Sequence, residues 1–331
     1  MKSEDLIKIF EAFVKRDNDA FFKSAEEIIE GEKRKKHHLL ATQLLRILKE
    51  NSTKSTINTH QIPPVPRDNE KGFKLLDVKK LFLGWDDIVL AKETEKTLNQ
   101  IAKELEIEDL LASYGLNPKR KILFYGPPGT GKTLAAKIMS SIIGYPLVYV
   151  RFESVISSYL GETASNLRKI FDFIEKGRWV VLFDEFDIIG KQRDDPTEHG
   201  EIKRVVNNFM LILENYEGDS TIIASTNHPQ LLDIGVWRRF DEVVYFGLPD
   251  KERRKRIFEK YLRVLKKSEN FSLNGLSEET EGFSGADIEQ TCVNALKSTI
   301  LSGRDLIGFD DVKGAILTQK ERIKIKGVTK I

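Results

Sequence analysis

Gly126-Pro127-Pro128-Gly129-Thr130-Gly131-Lys132-Thr133 follows the apolar run Ile122–Tyr125 and precedes a stretch of helical periodicity. A strand that turns on glycines into a helix exposes backbone N–H groups at the turn and at the helix N-terminus. Such groups wrap phosphate oxygens. Lys132 is spaced to reach β- and γ-phosphates, and the Thr133 hydroxyl to ligate Mg²⁺. A Gly/Pro-rich turn without a ligand is the plainer alternative. All eight positions match a phosphate loop in its strand–turn–helix context, which argues against that alternative. Gly126, Pro128, Gly129, Thr130, Gly131, Lys132, Thr133 and Leu134 are therefore the expected nucleotide-binding residues.

Downstream, Val180-Val181-Leu182-Phe183 runs into Asp184-Glu185. A buried strand ending in two acids puts carboxylates at the edge of the sheet where open α/β folds bind ligands. Asp184 is expected to hold Mg²⁺, and Glu185 to orient and deprotonate an attacking water, which implies hydrolysis. Taken alone, the same pair is only an acidic loop after a core strand. Ile223 to Ser225 leads into Thr226-Asn227, whose amide could fix the lytic water or the γ-phosphate. An Asn opening a loop is ordinarily a turn former.

Further strand candidates are Leu147–Phe152, Thr221–Ser225 and Val243–Phe246, with helical periodicity between them. That alternation implies βαβ units and a parallel sheet. Beyond Pro249 the pattern reads as helical to about residue 318. At the other end, Leu6, Ile9, Phe10 and Phe13 begin a series of short amphipathic helices. Residues 51–72 are rich in Ser, Thr and Asn, then in Pro63, Pro64 and Pro66, a linker composition.

The composition excludes several classes without naming a chemistry. The chain has 331 residues, enough for roughly two domains and a core that needs no staples. Charged residues make up 31% and hydrophobic ones 40%, as in a globular protein. A single cysteine, Cys292, rules out an internal disulfide framework and suits a reducing compartment. The apolar runs fall far short of the roughly 20 residues of a membrane helix, and the acidic N-terminus does not read as a signal peptide. A cytoplasmic protein without membrane insertion is expected. The 53 basic and 51 acidic residues leave +2, which favours no partner.

Over roughly residues 80–320 these motifs resemble the AAA ATPase family. The resemblance implies ATP and Mg²⁺ as ligands. It casts GPPGTGKT as Walker A, Asp184-Glu185 as Walker B and Asn227 as sensor 1. Trp85-Asp86-Asp87-Ile88-Val89 is similar to the segment whose backbone meets adenine, with Val89 where a glycine is usual. Gly282 to Asp287 is similar to the lid motif, with Gly285 and Ala286 near adenine and ribose. Trp237-Arg238-Arg239-Phe240 resembles the arginine-finger segment, in the compact spacing of the katanin and spastin branch. Family geometry places Arg238 and Arg239 at the neighbouring subunit's site, implying a homo-oligomeric ring, a hexamer in this family. Tyr159-Leu160-Gly161-Glu162 resembles the first pore loop of protein remodellers, and residues 193–200 are a weaker candidate for a second.

The implied fold is an α/β P-loop NTPase with a parallel sheet flanked by helices, an all-α lid and a small all-α N-terminal domain. Residues 1–50 are read as the N-terminal recruitment helices, 51–79 as linker, 80–247 as the large subdomain and 248–331 as the lid. The implied function is Mg²⁺-dependent ATP hydrolysis coupled to remodelling, unfolding or threading of protein substrates. A nucleic-acid motor or loader and an ATP-controlled partner-binding switch are the alternatives. Nucleic acid draws support only from basic runs, mainly residues 251–267 with nine basic residues against two acidic. No aromatic residues interleave there as a single-strand platform requires, and a solvated or inter-subunit face is the plainer reading. His37-His38 point apart on a helix and lack a third ligand.

Overall fold

The computed structural model describes residues 62–68, 72–151, 155, 160–186, 198–232 and 234–328, and scattered positions between 11 and 31. Two compact units divide between Pro63 and Pro64. Most of the expected N-terminal helices lie outside the described residues. Those positions of the first unit that are described are helical, with Ala25 and Ile28 buried.

The second unit is built on a six-stranded sheet. Its strands are β1 (Leu76–Lys79), β2 (Lys121–Tyr125), β3 (Leu147–Val150), β4 (Val180–Phe183), β5 (Thr221–Thr226) and β6 (Glu242–Tyr245). Spatial order is β1-β3-β4-β5-β2-β6, all parallel except the edge strand β1, which runs antiparallel to β3. β1 falls inside the segment expected to be linker. The buried leucines Leu75, just before it, and Leu76, its first residue, are too short a signal to stand out beside the polar run that precedes them.

Helices α1 (Lys92–Glu106), α2 (Glu108–Ser113), α3 (Lys132–Ile143), α4 (Leu160–Ile174), α5 (Glu198–Glu214) and α6 (Ile234–Trp237) connect or flank the strands. They bury both faces of the sheet, which is why the central strands read as continuous apolar runs. Val181, Phe183, Ile222 and Ala224 enter one core with Phe171, Phe209 and Leu213. Their neighbours Val180, Leu182 and Ile223 enter the other with Leu98, Ala135 and Met139. A one-residue slip of register would exchange these sets and bury the wrong atoms.

After β6 come α7 (Lys251–Tyr261), strand β7 (Lys266–Lys267), α8 (Leu273–Glu279), α9 (Gly285–Leu301), strand β8 (Leu306–Ile307) and α10 (Phe309–Val328). The lid is thus helical apart from the β7–β8 ladder, and α10 runs ten residues past the expected end of helix. Its own core gathers Phe258, Leu262, Leu276, Ile288, Cys292 and Ile316. Burial pushes the Cys292 thiol up to about 12, so it packs as an inert apolar group.

Four of the nine basic residues in the run at the head of the lid make contacts within the chain. Arg254 is buried and donates to the carbonyls of Ser277 and Pro249, both at 2.9 Å. Arg253 caps back onto Asp250, Lys251 pairs with Glu278, and Lys260 donates to the Asp86 carbonyl.

Candidate active site

The carboxyl ends of β2, β4 and β5 open onto a cleft of about 690 Å³ between the sheet and the lid. Its floor is the turn from β2 into α3. Gly126 leaves β2 with φ of 137°, and a Cβ there would lie 2.2 Å from the Phe246 carbonyl oxygen. No other residue lets the loop pass so close to the chain leaving β6. Gly126 itself does not line the cleft; its place is against that backbone. Gly131 is the N-cap of α3 with φ of 99°, and a Cβ would meet Ile88 Cδ1 at 2.9 Å.

Pro128, Gly129, Thr130, Gly131, Lys132, Thr133 and Leu134 all line the cleft. Lys132 is buried, and its ammonium donates to the Gly126 and Pro127 carbonyls at 2.8 Å each. The loop thereby holds a cation inside a ring of peptide groups, an arrangement that attracts phosphate.

The two acids after β4 are placed by the side chains around them. Phe183 and Phe186 are both buried, and Phe186 N donates to the Ser225 carbonyl at 2.8 Å. With both phenylalanines inside, Asp184 and Glu185 must turn outward in two residues. Glu185 accordingly takes φ of 51°, the one described non-glycine residue in the left-handed region. Such a conformation costs on the order of 1 kcal/mol, and it persists because Phe186 packs against Phe209 at 4.9 Å between ring centroids.

Asp184 is fully engaged. Its Oδ2 accepts from Thr133 Oγ1 at 2.7 Å, and its Oδ1 accepts from Ser225 Oγ and from Glu185 N. Thr133 and Asp184 form an all-oxygen donor pair suited to a hard divalent cation. Among the described residues no cluster of three or more His, Cys, Asp or Glu could hold a metal unaided. The hydroxyl and carboxylate of that pair fit Mg²⁺, which takes few protein ligands when it is bound beside phosphates.

Asn227, at the end of β5, joins Lys132, Asp184 and Glu185 in the cleft. Asp87 and Val89 line it from the sheet side, and Gly285 and Ala286 from the lid. The lid touches the phosphate loop directly, because Ala286 N donates to the Gly129 carbonyl at 3.0 Å. That contact needs Ser284 to cap α9, which it does with Asp287 in a reciprocal box.

Arg238 and Arg239 are not in the cleft. Arg239 donates to Glu214 at 3.1 Å and to the Gly235 carbonyl at 2.9 Å, while Arg238 is exposed. Tyr159 lies outside the described residues, and Leu160 is described only as the first backbone position of α4. The expected second pore loop likewise falls mostly outside them, with residues 198–200 opening α5.

Six lining residues carried no signal in the sequence: Leu83, Lys137, Ile257, Lys260, Tyr261 and Glu289. They come from helices and from a segment of no motif, and only the lid's fold turns Lys260, Tyr261 and Glu289 inward. Burial lowers the Lys260 ammonium, with Asp87 opposing. Burial, reinforced by the Glu289 carboxylate, pushes the Tyr261 hydroxyl up to about 12.

The family profile of the ATPase family associated with various cellular activities (AAA) matches residues 122–248, and that of the AAA+ lid domain matches 270–314. An uncharacterized AAA family ATPase, y4kL, of Sinorhizobium fredii is 35% identical over 324 residues, 97% of each chain. The cell division cycle protein 48 homolog of Archaeoglobus fulgidus is 36% identical over 62% of this chain and 29% of its own length. The proteasome-activating nucleotidase of Methanocaldococcus jannaschii is 31% identical over 70% of this chain and 57% of its own. Because similarity to an AAA family ATPase runs the length of the chain and the profile match includes the phosphate loop, Asp184, Glu185 and Asn227, the chain belongs to the AAA ATPase family: it binds ATP and hydrolyses it.

Proposed function

We propose that this ATPase works as a ring-like homo-oligomer, a hexamer by family geometry, that remodels, unfolds or threads protein substrates. The observation that carries the reading is the content of the cleft. Among the described residues it gathers Lys132, Asp184, Glu185 and Asn227 but no arginine. Phosphoryl transfer gains greatly from a cation placed at the γ-phosphate, commonly an arginine supplied from another chain. Arg238, exposed and outside the cleft, with Arg239 beside it, is suited to act on a neighbour's nucleotide. Head-to-tail contacts of that kind propagate until a ring closes.

Within one subunit the roles follow from position. The peptide groups of the loop and Lys132 hold the β- and γ-phosphates. Glu185 takes the proton of the attacking water, and Asn227 orients that water or the γ-phosphate. Thr133 and Asp184 would hold Mg²⁺, which when bound offsets phosphate charge. Ala286, hydrogen-bonded to Gly129, lets a change at the phosphates reach the lid. Tyr159 and Leu160 are proposed to grip extended polypeptide by apolar contact, and the N-terminal helices to recruit the substrate or partner.

The protein-directed reading is favoured by relatives named as a proteasome-activating nucleotidase and a cell division cycle protein 48 homolog. It is favoured over a nucleic-acid motor because Lys251, Arg253, Arg254 and Lys260 are spent on contacts within the chain. Assignment to the katanin and spastin branch rests on the Arg238-Arg239-Phe240 spacing alone. A cytoplasmic location is proposed on the single buried Cys292.

The test is capture with the Glu185→Gln chain in ATP, read by light scattering and by the polypeptides retained. A ring with bound polypeptide is expected, and adding Tyr159→Ala should empty the ring without dispersing it. A monomer in saturating ATP would overturn the proposal, as would retention of nucleic acid instead of protein.

A further inference from the structure

Ser225 is a buried polar residue in an apolar strand, following Ile222, Ile223 and Ala224 near the end of β5. Strand alternation puts it on the same face as Ile223, whose core also takes Leu182 of β4, Phe124 of β2 and Ala135 of α3. In the β4–β5 register Phe183 stands opposite Ala224, so Asp184 and Ser225 form the next row and share that face. An alanine would fill such a position with no polar group to satisfy. The strand itself has no use for the hydroxyl.

Both polar groups of Ser225 reach across to the chain leaving β4. Its Oγ donates to Asp184 Oδ1, and its carbonyl accepts from Phe186 N at 2.8 Å. Between those two contacts lies Glu185, with φ of 51°, whose own N–H donates to the same Asp184 Oδ1 at 3.1 Å. The other oxygen, Oδ2, faces Thr133 Oγ1 at 2.7 Å. A carboxylate presents either oxygen by turning about its last torsion, a rotation with only a shallow barrier. Two donors on Oδ1 oppose that rotation and assign Oδ2 to the phosphate-loop side.

We propose that Ser225 is a positioning residue of the hydrolytic site, its hydroxyl holding the Asp184 carboxylate in the orientation that takes Mg²⁺ beside Thr133. Ser225 does not line the cleft, so it acts through Asp184 and not on a ligand. Partners that hydrogen-bond a metal-ligating side chain commonly change metal affinity by about 10–100-fold when removed. The role rests on the ATP and Mg²⁺ reading of the cleft and adds to it the side chain that orients the cation's holder. Through its carbonyl, the same residue also ties β5 to the turn that carries Glu185.

The experiment is titration of the full chain with the β,γ-imido analogue of ATP, once in Mg²⁺ and once in a chelator. Mn²⁺ binding in the presence of the analogue is followed by electron paramagnetic resonance, so neither readout needs turnover. Ser225→Ala is expected to keep affinity in chelator within about twofold of wild type. It should lower the gain in affinity that Mg²⁺ gives, and the affinity for Mn²⁺, by about tenfold or more. In an Asp184→Asn background the same substitution should change the Mg²⁺ gain by less than about twofold, because the group it acts through is gone. A Mg²⁺ gain in Ser225→Ala within about twofold of wild type would overturn the proposal. An equal loss of affinity with and without Mg²⁺ would overturn it too, since that marks a purely structural role, as would independent, additive effects of the two substitutions. A wild type with no Mg²⁺ gain, or an Asp184→Asn chain that keeps the whole of it, would instead refute the cation reading of the Thr133–Asp184 pair.

Discussion

Thr133 Oγ1 donates to Asp184 Oδ2 at 2.7 Å, tying the first turn of α3 to the end of β4 across 51 residues of sequence. Ser225 Oγ donates to the other oxygen of the same carboxylate. One side chain thus joins the ends of β4 and β5 to the first turn of α3, so the pair proposed to hold the cation is positioned by the fold itself. Asp184→Asn should lower Mg²⁺-dependent turnover by roughly 10²-fold or more, while ADP affinity in the presence of a chelator changes little. Phosphate release and nucleotide titration check the two halves of that statement.

Glu185 lines the cleft beside Asp184, and the role proposed for it is to act on water rather than to hold nucleotide. Glu185→Gln is expected to keep ATP bound and reduce hydrolysis by about 10²–10⁴-fold, measured by single-turnover phosphate release. Unchanged turnover would refute the assignment.

Backbone strain at the same residue has its own consequence. With φ at 51°, Glu185→Gly relieves the left-handed conformation that Glu185→Ala retains. The glycine variant should be the more stable of the two by about 1 kcal/mol in denaturant titration, although both are inactive.

Arg238→Ala and Arg239→Ala should each abolish most ATPase activity and spare ADP affinity. The two differ in stability: Arg239 braces α6 and α5 through Gly235 and Glu214, so its loss lowers the melting temperature slightly, whereas loss of exposed Arg238 does not. Mixing Arg238→Ala with Glu185→Gln subunits should recover activity if the arginine works across the interface. Co-assembled mixtures with no activity would refute action in trans.

Lid stability should fall in acid. Arg304 hydrogen-bonds the Asp311 carboxylate and holds it below its usual range, helped by Gly308 N. A carboxylate depressed in the folded state stabilises above its unfolded value, near 4, and loses that contribution as pH falls through its folded value. The stability difference between wild type and Asp311→Asn should therefore be constant at neutral pH and vanish at the acid end. A difference that grows in acid would reverse the assignment.

Much of the site was legible because its motifs are local. The phosphate loop needs consecutive residues, and Asp184-Glu185 and Asn227 each end an apolar run that reads as a strand. Sites built by packing left no such trace. Leu76 to Lys79 enter the sheet as an edge strand through long-range pairing with β3, which no window of sequence contains. Lys260, Tyr261 and Glu289 sit on helices whose periodicity reports burial of Ile257, Phe258 and Ile288, not the direction of their polar neighbours.

Sequence alone determined the α/β order, the phosphate loop, the paired acids and the family resemblance, because each is written in adjacent residues with fixed chemical roles. Tertiary structure decided the rest. It put Arg238 and Arg239 outside their own chain's cleft and engaged Lys251, Arg253, Arg254 and Lys260 of the basic run in contacts within the chain. It also brought residues of α7 and α9 to the cleft. These depend on how separate elements pack, and packing energies act between residues that the chain does not place side by side.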